Sequence, residues 1–173
     1  MVLFLVGFMG CGKSSIGRQL ARRLGYGFVD MDADIERQAG MTVSEMFDRH
    51  GEAYFRERER EALARYAGLA DTVVATGGGV PCGVGNMETM NRCGVTVYFK
   101  MTPEKLALRL RHGRDKRPLL RGKDDGELLA FIRERLPQRE PFYGQARLVI
   151  DCDGVSDDYI AEHVVRYMEN SVK

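Results

Sequence analysis

Eight residues near the start of the chain constrain it more than any other feature: Gly7-Phe8-Met9-Gly10-Cys11-Gly12-Lys13-Ser14 meets the pattern G-x-x-x-x-G-K-[ST] at every fixed position. The flanks supply the context that the pattern demands. Val2–Val6 is an unbroken apolar run, which suits a strand covered on both faces in a parallel sheet. Ile16, Leu20 and Leu24 then recur at helical spacing as far as Gly25, a residue suited to closing a helix. Glycines in such a loop let successive backbone N–H groups curl around phosphate oxygens at the positive end of the helix dipole. Lys13 is then placed to reach the β- and γ-phosphates of a nucleoside triphosphate, and Ser14 to ligate Mg²⁺.

Strands alternate with helices along the rest of the chain. Short strands are expected near Gly27–Val29, at Asp71–Ala75 before Gly77-Gly78-Gly79, at Val95–Phe99 and at Leu148–Ile150. Helices are expected at about Ala33–Ala39, Ser44–His50, Glu52–Tyr66 and Glu127–Arg139, one opened by Thr102-Pro103, and a closing one begun at Ser156. From His112 to Gly126 the chain is charged, contains glycine and has no apolar periodicity, which reads as a mobile loop. The alternation implies an α/β fold around a parallel sheet of about five strands, in one domain spanning residues 1–173.

Charge argues against a nucleic-acid partner, because 26 Lys+Arg stand against 25 Asp+Glu. The 20 Arg far outnumber the 6 Lys, and arginine suits bidentate recognition of carboxylate and phosphate, although most of these side chains are expected on solvated faces. Cys11, Cys82, Cys93 and Cys152 form no C-x-x-C pair, and His50, His112 and His163 have no ligand spacing, so neither a zinc site nor a disulfide framework is expected. Val2–Val6 is too short to span a membrane and lacks the flanks of a signal peptide. The expectation is a cytoplasmic monomer with no membrane partner, its nine Met serving as core filler.

Asp30-Met31-Asp32-Ala33-Asp34 follows a short strand, and parallel sheets gather ligand sites at the carboxyl ends of their strands. One carboxylate there can hold Mg²⁺, directly or through water, while another accepts or orients the proton of an acceptor hydroxyl. The helix dipole alone accounts for Asp34, which is read as structural.

With these pieces the chain resembles the shikimate kinases. The resemblance is carried by Gly7–Ser14, Phe28-Val29-Asp30-Met31-Asp32 leading into Ile35-Glu36, and Gly51-Glu52 before Phe55-Arg56-Glu57. It continues in Gly77-Gly78-Gly79, Arg117-Pro118-Leu119-Leu120 and Arg139-Glu140-Pro141-Phe142-Tyr143. It implies a P-loop three-layer α/β/α sandwich like that of the nucleoside monophosphate kinases. ATP and Mg²⁺ would be used, and the 3-hydroxyl of shikimate would be the acceptor, in the pathway to chorismate and the aromatic amino acids.

The resemblance also implies roles. Gly10, Cys11, Gly12, Lys13, Ser14 and Ser15 hold ATP, and Asp30 joins Ser14 at the magnesium. Asp32 contacts the acceptor hydroxyls as the base, Arg56 and Arg139 clamp the acceptor carboxylate, and Gly77, Gly78 and Gly79 approach its ring. Phe47, Phe55 and Glu59 form the acceptor's apolar wall and supporting carboxylate, within a mobile subregion at about residues 32–60. Arg117, on a lid at about residues 112–123, neutralises the transferring phosphoryl group. Two departures stand out: Ser15 replaces the family's usual threonine, and the turn Asp151-Cys152-Asp153-Gly154 lacks the basic residues and proline common on the adenine side. Of Arg109 and Arg111, Arg109 is the candidate to stack on adenine.

Related kinases acting on gluconate or a nucleoside monophosphate remain alternatives, as does a non-catalytic nucleotide-binding module. A GTP switch does not, since the chain has no N-K-x-D. Cys11, beside a lysine at a helix N-terminus, carries two readings: an inert space-filler under the loop, or the most reactive of the four thiols. Lys13 carries the sharpest expectation. Lys13→Ala should lower kcat by about 10²-fold or more, because a charge stabiliser of the transition state is lost. Steady-state kinetics with saturating ATP measures it, and a near-normal kcat would refute the role.

Overall fold

The computed structural model describes residues 1–171. Five strands, β1 (Val2–Val6), β2 (Gly27–Asp30), β3 (Thr72–Ala75), β4 (Gly94–Lys100) and β5 (Leu148–Asp151), form one parallel sheet in the order β2-β3-β1-β4-β5. The central position of β1 explains its unbroken apolar sequence, since all five of its residues are buried. Helices α1 (Lys13–Leu24) and α8 (Asp157–Ser171) pack on each other. Right-handed crossovers put α1 on one face of the sheet, and on the other the helices α5 (Asn86–Cys93), α6 (Pro103–Leu110) and α7 (Asp125–Tyr143). Between β2 and β3 the chain makes α2 (Met31–Ala39), α3 (Val43–His50) and α4 (Glu52–Tyr66).

The connections after β1 and β3, which are neighbours in the sheet, leave toward opposite edges. That divergence opens a crevice at the carboxyl ends of the two strands. The loop after β1 carries Gly10 and Gly12 at φ 82° and 95°, values that favour glycine, and α1 starts at Lys13. Gly17 lets α1 lie close to the sheet, for a Cβ there would sit 2.7 Å from Phe28.

Three local readings needed correction. α7 runs to Tyr143 rather than ending near Arg139, and it contains Pro137 and Pro141. The prolines lie four residues apart on one exposed face, so the carbonyls they leave without a donor can turn to water. The expected strand at Asp71 starts at Thr72, because Asp71 takes φ 43° and its carboxylate accepts from the Met1 amine at 2.8 Å. Helix α5 was not expected, and only Met87 and Met90, three apart and buried, mark it. The segment expected as a loop is one, built of hydrogen-bonded turns with a short 3₁₀ turn at Arg114–Lys116, and Leu120 in it is fully buried. It ends at the capping box of α7, where Asp124 and Glu127 satisfy each other's backbone N–H groups.

Six methionines are buried in the core, as filler, and the three histidines are exposed. Asp34 is structural. Its buried carboxylate accepts from the Tyr66 hydroxyl, from Arg37 and, at 3.2 Å, from Gln38, joining α2 to α4. Burial pushes its pKa up, but the hydrogen bonds from Tyr66, Gln38, Arg37 and Arg65 outweigh that and hold it below the usual carboxylate range. Tyr66→Phe removes one of these donors and should cost about 1–2 kcal/mol in urea unfolding at neutral pH. The group's folded pKa is depressed, so its stabilisation is lost as pH falls through that value. The deficit of the variant should therefore shrink in acid.

Candidate active site

A cleft of about 680 Å³ lies over the β1/β3 crevice, within the usual size of a small-ligand pocket. One end is the loop after β1. Lys13 is almost wholly buried, and its Nζ donates to the carbonyls of Gly7 at 2.7 Å and Phe8 at 3.0 Å. Ser14 Oγ donates to Asp30 Oδ2 at 2.5 Å, so a hydroxyl and a carboxylate meet beside the loop. Asp30 also accepts from Ala33 N as the N-cap of α2, which fixes it at the end of β2.

The other end is built around the glycine turn after β3, and the reason for three glycines is space. A Cβ on Gly77 would lie 2.7 Å from Glu59 Oε1 and 3.1 Å from Asp32 Oδ1. On Gly78 it would lie 3.2 Å from Arg139 Nη1, and on Gly79 2.4 Å from Arg56 Nη1. The missing side chains thus leave the gap into which two carboxylates and two guanidinium groups converge from α2, α4 and α7. Arg56 is no solvated helix residue: its Nη1 donates to the buried Glu59 at 2.7 Å and its Nη2 to Glu52 at 3.0 Å. Arg139 is buried, lies 5.2 Å from the centroid of the Phe8 ring, and its Nη1 has no hydrogen-bond partner among the described residues. Phe47 and Phe55 pack at 5.3 Å between ring centroids as the apolar wall.

The segment over the cleft is held to α3, through Ser44 Oγ donating to Lys116 O at 3.5 Å and Arg121 pairing with Asp48 at 3.3 Å. That sets Arg117 at the cleft margin, and Arg109 from α6 closes over Gly12, where a Cβ would lie 3.1 Å from its Nη2. Among the described residues, Lys13, Arg109, Arg117 and Arg139 have no carboxylate within ion-pair distance. Arg18 and Lys116, which also line the cleft, are likewise unpaired among the described residues, and so many unmatched cations around one cleft call for polyanionic ligands.

Asp32 sits between these two ends. Burial in the cleft raises its pKa, and Asp30 and Glu36 add to this against the pull of Lys13 and Arg117. A carboxylate so raised is a better proton acceptor than an ordinary aspartate.

Of the residues named from the sequence, all line the cleft except Cys11. The Cys11 thiol is fully buried under the loop, 3.6 Å from Lys13 Nζ, and its N–H is taken by Phe8 O. The inert reading of Cys11 stands, because a thiol with no accessible surface offers alkylating agents no approach. Sequence reasoning missed Thr76, Arg18, Lys116 and Glu36 as cleft residues. Thr76 had a signal, being the first residue after a parallel strand; its hydroxyl donates to Leu5 O at 2.8 Å. Glu36 accepts from Val43 N at 2.9 Å and ties α2 to α3. Nothing local separates Arg18 from the other arginines of α1.

Residues 9–169 match the family model of the shikimate kinases. A curated shikimate kinase of Bacteroides thetaiotaomicron is 43% identical over 167 residues, which cover 96% of this chain and 95% of that one. The crystal structure of shikimate kinase from the same species aligns with a TM-score of 0.88 at 42% identity, over 99% of this chain and 98% of that chain. The shikimate kinase of Acinetobacter baumannii in complex with shikimate aligns at 0.89 and 32% identity, over 98% of this chain and 93% of that one.

Glu59 gives the site a pH signature. Burial pushes its pKa from 4.5 up to about 7 against the attraction of Arg56. A pKa raised on folding means that the native state binds the proton more tightly. The associated stability is full below about pH 4.5 and is lost as pH rises through about 7. Wild type should lose on the order of 2–3 kcal/mol across that window from this group, and Glu59→Gln should flatten the trend in urea unfolding. An unchanged slope in the variant would assign the pH dependence elsewhere.

Proposed function

The chain belongs to the shikimate kinase family, and we propose that its cleft performs the reaction with ATP at the β1 loop and the acceptor at the glycine turn. The enzyme transfers the γ-phosphoryl group of ATP to the 3-hydroxyl of shikimate, giving ADP and shikimate 3-phosphate. It is a P-loop kinase of aromatic amino acid biosynthesis.

The unpartnered Nη1 of Arg139 carries the assignment of the acceptor end. A buried guanidinium N–H without a partner costs free energy, and a ligand carboxylate removes that cost. Arg56, held by Glu59 and Glu52, supplies the second arm of the clamp. With the carboxylate at Arg56 and Arg139, the ring lies against Gly77–Gly79 and the Phe47/Phe55 wall. A ring hydroxyl then faces Asp32, which takes its proton as the oxygen attacks. Lys13 leaves the Gly7 and Phe8 carbonyls for the β/γ oxygens, and Arg117 meets the charge on the transferring group. Arg109 covers the adenosine side.

Ser14 and Asp30 suit Mg²⁺: both offer hard oxygen atoms, and no cluster of three His, Cys, Asp or Glu surrounds them among the described residues. That composition fits an ion that completes its shell with water and phosphate oxygens. When bound, the ion neutralises charge on the β- and γ-phosphates. One chain supplies every group named, so the proposed site needs no residue from a second copy. No helix among the described residues is long and apolar enough to cross a membrane.

Two kinetic experiments test this division. ADP release should be stimulated strongly by shikimate and little by gluconate or nucleoside monophosphates; comparable stimulation by gluconate would overturn the acceptor assignment. Arg139→Ala or Arg56→Ala should raise the shikimate KM at least about tenfold, the loss expected for a charged hydrogen bond, with the ATP KM nearly unchanged. Arg117→Ala should instead lower kcat more than it alters the shikimate KM, and a change confined to that KM would remove Arg117 from the transferring phosphoryl group.

A further inference from the structure

Behind the acceptor end of the cleft lies a second cavity of about 740 Å³. It shares Arg56, Glu59 and Arg139 with the cleft, and its own wall adds Arg60, Arg135 and Cys82. Its cations are unequally satisfied. Arg56 is engaged by Glu59 and Glu52, and Arg60 pairs with Glu57 at 2.9 Å. Arg135 lies 5.4 Å from the centroid of the Phe131 ring and has no carboxylate within ion-pair distance among the described residues. It stands four residues before Arg139 on α7, so the two share a helix face, and Arg139 is itself buried with an unpartnered Nη1. The wall therefore holds two unmatched guanidinium groups, and acceptor binding at the clamp accounts for only one.

Cys82 is the thiol in this setting. It is half-buried, in contrast to the fully buried Cys11, and its N–H donates to Gly79 O at 3.1 Å, which ties it to the glycine turn. Burial, the largest influence, and Glu59 leave its pKa above the ordinary thiol value, although Arg139, Arg56 and Arg135 all pull against them. These three arginines thus line one cavity with a half-buried thiol.

We propose that this second cavity binds a small anion, a carboxylate or a phosphate, on Arg135 and Arg139, and that Cys82 is the residue of this chain that anionic electrophiles modify. In the covalent step the Cys82 thiol gives its proton to solvent. The thiolate then attacks the carbon bearing the leaving group, a C–S bond forms, and the leaving group departs with its electron pair. The carboxylate of the reagent is held meanwhile by the guanidinium groups. An anion in this cavity also draws Arg139 away from the acceptor carboxylate.

The test compares iodoacetate, an anion, with the neutral iodoacetamide at mildly alkaline pH, and quantifies labelling at each cysteine by peptide mass mapping. The same two reagents on the urea-unfolded chain give the intrinsic rate ratio. Folded protein should show an iodoacetate-to-iodoacetamide ratio at Cys82 about tenfold above that value, the enrichment expected of a cleft lined by one sign of charge. Cys93 should show no such enrichment. Arg135→Ala should bring the Cys82 ratio back toward the unfolded value while leaving shikimate turnover intact, which also reports that the variant is folded. Inorganic phosphate and acetate, added at equal concentration, tell which anion protects better, and protection by either supports the site. A Cys82 ratio equal to that of the unfolded chain, a ratio indifferent to Arg135→Ala, or a Cys82 that reacts with neither reagent would overturn the proposal. Labelling needs no shikimate, so its failure would leave the acceptor assignment standing.

Discussion

Everything in the cleft depends on the parallel pairing of β1 with β3. The register Val2↔Thr72 to Leu5↔Ala75 continues one residue further, where both the backbone N–H and the hydroxyl of Thr76 donate to Leu5 O. That double bond sets the phosphate loop and the glycine turn side by side, so closely that a Cβ on Gly78 would lie 3.3 Å from Met9 N. A slip of one residue would turn every buried side chain of β1 to the opposite face and move the two loops apart. ATP and acceptor meet because two neighbouring strands end together while their connections part.

Around this frame the fold accepts an electrostatic imbalance. Lys13, Arg109, Arg117 and Arg139 face one cleft without carboxylate partners among the described residues, and Arg139 does so while buried. Such an arrangement lowers the stability of the empty protein and raises its affinity for anions, the usual opposition between stability and function. The compensations are local. The face of Phe8 shields Arg139, Glu59 balances Arg56, and Tyr143 donates to Gly78 O at 2.6 Å, pinning the glycine turn from the same helix that brings Arg139. For that helix to hold both residues it must pass through Pro137 and Pro141, and the solvent on its outer face makes this tolerable.

The phosphate loop, the five strands, the long helices and the acid pair after β2 were legible in the sequence. Each is a local pattern: an apolar run, a 3.6-residue period, or glycines at set spacing. The path of α7 beyond Arg139 was not, because whether proline ends a helix depends on which face meets solvent. Helix α5 and the buried Leu120 rest on contacts with distant segments, and no local period announces them. Arg18 and Lys116 read like any other solvated cation, and only tertiary packing turns them to the cleft.

Cys11 and Cys82 mark the boundary most sharply. Sequence adjacency to Lys13 at a helix N-terminus left a reactive reading of Cys11 open beside the inert one, and a loop folded over the sulfur removes the access that reactivity needs. Cys82 has no charged neighbour in the sequence, and its three arginines come from α4 and α7. By itself the sequence determined that a phosphate loop, an acid pair and clamp-forming arginines exist, because the residue types and spacings that do this chemistry are written along the chain. Only the tertiary structure decided which of 20 arginines lack a counter-ion, which carboxylates are raised, and which thiol is exposed to cations. Those properties are sums over neighbours far apart in sequence, in a medium whose dielectric response is set by burial.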